Sequence, residues 1–288
     1  MAFSALADIV AACEQSQQPF WQVVCEAEAK DAGVTTAQTI EKMRTLWQTM
    51  LHAAAGYDAT ARSASGLSGG DGALFASYLA GGNSLCGSFC GAIIAQALQM
   101  AESNACMKRI VAAPTAGSCG VLPAVLISCF GQYAYDEARL VEALFVAAGI
   151  GQVVAARATL SGAEGGCQAE VGVASAMAAG ALVSLKQGSA RQIATAAGFA
   201  LQNLLGLVCD PVAGLVEIPC IKRNVIGAMN ALSCADMALA GLQAHIPADE
   251  AIDALKAVGA QMHADLRETG RGGLAGTKTA QQIAKIIT

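Results

Sequence analysis

Charge is scarce in this chain. Only 14% of its 288 residues are Asp, Glu, Lys or Arg, against roughly 25% in an average globular domain. Joined to a hydrophobic content of 55%, that shortage excludes an intrinsically disordered chain. What charge there is leans acidic, with 17 Lys and Arg against 22 Asp and Glu, so there is no basic footprint for a phosphate backbone and no nucleic-acid partner is expected. Aromatics are few, at 5%. Strand signals are missing as well: no sustained two-residue alternation flanks a hairpin turn, which leaves an all-α fold. No linker-like segment or internal repeat divides the sequence. No basic n-region opens it either, since the first basic residue is Lys30 and Asp8 interrupts the early apolar run; a secretory leader is not expected, and the cytoplasm is the expected location.

Long charge-free runs are present. Gly72 to Ala101 and Ile110 to Tyr135 contain no charged side chain, and each exceeds the roughly 20 residues that span a bilayer. Their content argues for protein interior instead. The first holds Asn83, Gln96 and Gln99, the second Pro114 and Pro123, and most of the apolar mass is Ala, Gly and Cys rather than the large aliphatics and interfacial aromatics of a lipid-facing span. Closely packed small-residue helices in one body account for this, with no membrane partner. Three regions are expected within that single domain: an N-terminal helical cap over 1–57, a core over 58–246 and C-terminal helices over 247–288. In the cap, Thr35 or Thr36 starts a helix with Ile40, Met43, Trp47, Met50 and Ala54 on one face, ending at Gly56. Near the end, Pro247 opens a helix whose apolar face is predicted to run through Ile252, Leu255, Val258, Met262 and Leu266, and Thr279 with Gln282 reads as a capping box.

Four stretches combine glycine, hydroxyls and polar groups at helix entrances: 65–72, 114–120, 161–168 and 268–273. Such a turn exposes unpaired N–H groups that suit a carboxylate or phosphate, although ordinary turn and cap chemistry would explain each one alone. None is a P-loop or a dinucleotide fingerprint. The 11 cysteines sort by surroundings. Cys13, Cys25, Cys86, Cys90, Cys106, Cys129 and Cys234 sit in helical, small-residue settings where a thiol is a small hydrophobe. Cys167, Cys209 and Cys220 stand beside Gly or Pro in turns, with Cys119 a weaker fourth. Their separations match no short zinc or ferredoxin frame, so a three-thiolate metal site and plain loop thiols both remain open on spacing alone.

Three of these stretches carry a resemblance. Ala113-Pro114-Thr115-Ala116-Gly117-Ser118, Ser161 to Gly172 and Gly206 to Asn224 closely resemble the alpha chain of bacterial iron-sulfur-dependent L-serine dehydratases, from about Ser65 to Ala275 and more loosely beyond. The resemblance implies an all-α catalytic domain, a [4Fe-4S] cluster on Cys167, Cys209 and Cys220 with one iron not ligated by cysteine, and conversion of L-serine to pyruvate and ammonia without pyridoxal phosphate. Such an iron acts as a Lewis acid for the poor hydroxyl leaving group. The substrate carboxylate is expected at two Gly-rich entrances, Ser68, Gly69 and Gly70, and Thr115, Gly117 and Ser118. No catalytic base stands out: His52, His245 and His263 read as structural, and Lys222 and Arg223 adjoin Cys220 without a defined task. The family's Ser-Ser-His motif, carried by a beta chain or fused domain, is absent from this sequence, which implies a beta-chain partner holding part of the active site. The alternatives are a related iron-sulfur lyase that desulfhydrates L-cysteine, and a zinc-binding or structural helical protein.

Overall fold

Small side chains let helices approach closely, and the architecture follows from that. The computed structural model describes residues 3–287. It contains helices α1 (Leu6–Ser16), α2 (Phe20–Ala32), α3 (Thr36–Ala55), α4 (Asp71–Ala80), α5 (Gly87–Ala105), α6 (Val121–Tyr133), α7 (Glu137–Arg157), the single turn α8 (Gly162–Gly165), α9 (Val173–Leu185), α10 (Ala190–Leu204), α11 (Cys220–Leu239), α12 (Ala248–Gln261) and α13 (Lys278–Ile287). No β-strand occurs among the described residues, so the all-α expectation holds; the only extended pairing is an isolated parallel bridge between Cys209 and Arg267.

The centre is α9, Val-Ala-Ser-Ala-Met-Ala-Ala-Gly-Ala-Leu-Val-Ser-Leu, apolar on every side and buried along almost its whole length. A helix without a polar face must be surrounded, and α6, α7, α10 and α11 surround it. Contact is close enough that a Cβ on Gly180 would lie 2.2 Å from the Ile150 Cδ1 atom of α7. Gly180→Ala is therefore expected to destabilise the fold by about 1–3 kcal/mol, the usual cost of overpacking. Because the clash is with one methyl group, adding Ile150→Val should recover part of that loss. Chemical denaturation of the two single variants and the double variant measures it, and strictly additive losses would contradict this packing.

Three helical stretches are long and apolar enough to cross a membrane: Ala116–Tyr133, Glu137–Arg157 and Gln168–Leu185. Between 61% and 89% of each is buried against the rest of the protein, so helix packing accounts for their hydropathy. The other charge-free run, from Gly72, behaves differently. It breaks into α4 and α5 around an exposed turn, leaving Leu74, Tyr78 and Leu85 exposed.

The N-terminal helices share the main hydrophobic core, contributing Leu6, Ile9, Phe20, Val24 and Trp47. Asp249 of α12 caps α1, accepting hydrogen bonds from the Leu6 and Ala7 amides at 2.8 and 3.0 Å. Thr35 forms a capping box with Gln38 and Gly56 ends α3, as the sequence predicts. Two C-terminal expectations need correction. Helix α12 stops at Gln261, so Met262 and Leu266 leave its apolar face; the Leu266 carbonyl is instead drawn to the Cys209 amide at 2.8 Å. The cap of α13 is Thr277, whose hydroxyl accepts from the Ala280 amide at 3.3 Å, rather than Thr279.

Candidate iron-sulfur and substrate site

Three separate turns bring Cys167, Cys209 and Cys220 together. Cys167 lies between α8 and a π-helical stretch, Gln168–Gly172, that continues into α9; π-turns of this kind are rare and concentrate at functional sites. Gly166 just before it has φ +76°, and a Cβ there would meet the Met262 side chain at 2.6 Å and the Leu207 carbonyl at 2.9 Å, so the turn requires glycine. Cys209 is held in an extended segment: its amide donates to the Leu266 carbonyl and its carbonyl accepts from the Glu268 amide at 2.7 Å. Cys220 opens α11 directly after Pro219.

All three thiols are buried. Burial pushes Cys167 and Cys220 up to about 12 and Cys209 higher still. Their convergence is visible in their mutual effects, since Cys209 is raised further by both Cys167 and Cys220, and Cys220 by Cys167. Arg223 opposes this. Its guanidinium lowers Cys167 and Cys220. The same side chain donates to the Val208 carbonyl at 2.8 Å. It also pairs with Asp210 at 2.8 Å, a charge contact more than an aligned hydrogen bond, with both side chains largely buried. Asp210 in turn accepts from the Leu274 amide at 2.7 Å. The Gly-rich strap 268–273 thus wraps the Cys209 segment, and a Cβ on Gly273, at φ +57°, would fall on the Asp210 carboxylate.

The residue that sequence reasoning missed is Glu170. It projects from the π-helical stretch, and its carboxylate lies beside the 115–120 turn, where Thr115 favours its charged form. A Cβ added to Gly162 would lie 2.6 Å from Glu170 Oε2 and 3.1 Å from Cys209 Sγ, and one added to Gly117 would lie 3.3 Å from Oε1. Burial raises its carboxyl above the ordinary range and Glu268 raises it further, while Thr115 works against both. It sits inside a quoted motif, but nothing local separates it from Glu164, which turns outward to bond Thr159 at 2.6 Å.

The two expected carboxylate entrances differ. At Ser68, Gly69 and Gly70 the first amides of α4 are already occupied: Glu102, itself buried, accepts from the Asp71 amide at 2.7 Å and the Gly72 amide at 3.1 Å. Ser68 donates its own amide to the Ser63 hydroxyl, and Ser63 and Ser65 both donate to Glu217 at 2.7 and 2.9 Å. That loop therefore carries an internal anion where an external one was expected. The 115–120 turn is different. Thr115 and Ser118 hydroxyls lie 3.1 Å apart, the turn faces Glu170, and no side chain among the described residues caps the Ala116 or Gly117 amide.

Two buried amides tie the site together. Gln168 accepts from the Gly206 amide at 2.9 Å and donates to the Leu255 carbonyl at 3.0 Å, joining the Cys167 turn to the approach to Cys209. Asn224 reaches from α11 to the 115–120 turn. The remaining cysteines divide differently from expectation. Cys13, Cys25, Cys129 and Cys234 are buried, as is Cys119, whose thiol points at the Met100 carbonyl; Cys86 is exposed, and Cys90 and Cys106 are half-buried. All 11 are free. His52 and His245 stay apart from the trio, and His263 accepts from the Asp265 amide through Nδ1 at 3.2 Å. Lys222 pairs with Asp71 at 3.1 Å on the surface.

The donor set is suited to a cationic group. Three buried thiols and the half-buried carboxylate of Glu170 influence one another's protonation, with Arg223 the cation beside them, and such anion-forming groups are costly to ionise there unless a cation offsets them. No group of three or more His, Cys, Asp or Glu side chains among the described residues is arranged to hold one metal ion. A multi-iron cluster takes one thiolate per iron and so spreads its ligands.

The family described as serine dehydratase alpha chain matches residues 15–275. The chain is 42% identical over 282 residues to the L-serine dehydratase alpha chain of Peptoniphilus asaccharolyticus, covering 96% of each. It is 49% identical over 225 residues to the probable L-serine dehydratase alpha chain of Bacillus subtilis, covering 78% of this chain and 75% of that one. Against an L-serine dehydratase of Escherichia coli it is 45% identical over 187 residues, 62% of this chain but only 40% of that longer protein.

Proposed function

Because the chain belongs to the serine dehydratase alpha chain family, we propose that it is the cluster-bearing subunit of an L-serine dehydratase, converting L-serine to pyruvate and ammonia in the cytoplasm without pyridoxal phosphate. The observation that carries the proposal is the convergence of Cys167, Cys209 and Cys220 beside Glu170 and the 115–120 turn. In this reading the three thiolates hold a [4Fe-4S] cluster. The chemistry it supplies when bound is Lewis acidity, at the iron that no cysteine occupies, toward the departing hydroxyl of serine.

The chain's own residues then do the positioning. The Ala116 and Gly117 amides with the Thr115 and Ser118 hydroxyls receive the substrate carboxylate, and Glu170 receives its ammonium group. Both charged groups of an α-amino acid sit on one carbon, and Glu170 lies beside the 115–120 turn, its Oε1 3.3 Å from where a Gly117 Cβ would stand, so the two groups are received by neighbouring parts of one site. Arg223 balances the thiolates by its charge near Cys167 and Cys220. The proton acceptor is assigned to a beta-chain partner, in keeping with the relatives' description as alpha chains and with the extra length of the Escherichia coli relative.

The deciding experiment is anaerobic reconstitution with iron and sulfide, followed by measurement of pyruvate formed from L-serine with and without the co-expressed partner. Turnover is expected with the partner and little without it. A loaded, partner-bound complex that forms no pyruvate would refute the activity. Glu170→Gln keeps the shape and removes the charge opposite the ammonium, and the KM for L-serine should rise about 10–100-fold, the worth of one hydrogen bond to a charged group. An unchanged KM would refute the role given to Glu170.

A further inference from the structure

An asparagine in the first turns of a helix is a poor choice for the helix itself, because its amide competes with backbone hydrogen bonds. Asn224 in α11 is nonetheless almost completely buried and fully engaged. Its Nδ2 donates to the Gly117 carbonyl at 2.9 Å and to the Cys220 carbonyl at 3.0 Å, and its Oδ1 accepts from the Gly120 amide at 2.8 Å. One side chain thus holds both ends of the 117–120 turn and the backbone of a proposed cluster ligand. The contact depends on glycine, since a Cβ at Gly120 would lie 3.0 Å from Asn224 Oδ1 and 2.6 Å from the Ala97 carbonyl.

We propose that Asn224 is a positioning residue that fastens the carboxylate-binding turn to the Cys220 backbone, so that the turn is held in shape to bind the substrate beside the cluster. This rests on the function proposed above. Glu217, three residues before Cys220, makes a comparable link from the same turn to the 63–68 loop through Ser63 and Ser65, but that loop carries an internal carboxylate cap. Asn224 is therefore the link from the Cys220 segment to the turn left open for substrate. Gln168 provides a contrast: its amide joins the approaches to Cys167 and Cys209 and does not reach the 115–120 turn, so it bears on cluster retention and not on the shape of that turn.

The test uses the anaerobically reconstituted complex with its partner chain. Asn224→Asp preserves the acceptor for Gly120 and removes both donors; Asn224→Leu removes all three bonds. For Asn224→Asp the expected result is iron and sulfide content near wild type, a KM for L-serine raised at least about tenfold and a kcat changed far less, because a bond that aligns bound substrate is worth on the order of one hydrogen bond. Gln168→Leu should show the reverse, less iron per chain and an unchanged KM per loaded site. Hydrogen exchange gives a readout that needs no turnover: amides over 115–120 should exchange faster in both Asn224 variants and not in Gln168→Leu. A KM within twofold of wild type in Asn224→Asp, a KM that rises only as iron is lost, or unaltered exchange over 115–120 would each overturn the proposal. If the wild-type complex does not act on L-serine, the exchange measurement still decides whether Asn224 holds the turn.

Discussion

Replacing Cys167, Cys209 or Cys220 singly by alanine is expected to strip the chain of iron and to lower serine turnover by about 10²–10³-fold or more, the scale on which loss of one electrostatic element at a reacting centre acts. Replacing Cys119 should do neither. The contrast rests on where the thiols point. Cys119 is as deeply buried as any residue in the protein and lies four positions beyond Thr115, but its sulfur faces the Met100 carbonyl across α5, so Cys119→Ala removes one packed atom at a cost of about 1 kcal/mol. Of the other three, Cys167 and Cys220 raise the proton affinity of Cys209, and Cys167 that of Cys220. Iron and sulfide assays with the visible spectrum, recorded anaerobically on the four variants, check this. Full iron content in Cys209→Ala, or loss of iron in Cys119→Ala, would contradict the assignment.

Arg223→Met is expected to be the most destabilising single change near the site. Asp210 is almost wholly buried and its counter-charge is Arg223. Removing one member of a buried pair leaves the other desolvated and costs about 3–5 kcal/mol, which corresponds to a fall in melting temperature of roughly 6–15 °C for a chain of this size. Arg223→Lys should recover only part of the loss. The guanidinium meets the Val208 carbonyl and Asp210 at once, and an ammonium group lacks that planar fork. Combining Arg223→Met with Asp210→Asn should restore stability relative to Arg223→Met alone, because no charge is then stranded. Calorimetry on the iron-free chain isolates this effect from cluster loss. A melting temperature within about 1 °C of wild type for Arg223→Met would show that the pair contributes little.

Much of the helical architecture is readable residue by residue. Thr35 with Gln38 and Gly56 mark both ends of α3 because caps are local chemistry, satisfied within four residues. The all-round apolar character of α9 announces a central helix for the same reason: composition alone determines that it must be covered. Where local reading failed, a distant partner intervened. Helix α12 ends early because the backbone after it pairs with Cys209. Just past the entrance at Ser68 to Gly70, Glu102, some thirty residues away, fills the Asp71 and Gly72 amides. Cys86, Cys90 and Cys106 sit among small residues and still escape full burial, since Cys86 and Cys90 lie at the exposed start of α5 and Cys106 at its C-terminal cap, and small residues do not say which side of a helix is covered.

The candidate site divides along the same line. Turn settings marked by glycine or proline separated Cys167, Cys209 and Cys220 from seven of the others and left Cys119 a weaker fourth, because turn residues limit the backbone wherever the turn ends up. The sequence by itself thus determined a small-residue helical body and the three thiols that differ from the rest. Tertiary structure alone decided that Cys167 and Cys220 act on Cys209, that Glu170 and Arg223 stand near these thiols, and that Asn224 fastens the 117–120 turn to Cys220. The reason is physical: each of those contacts is a hydrogen bond or charge pair between elements remote in sequence, and its partner is chosen by how the helices pack around α9 and not by the residues beside it in the chain.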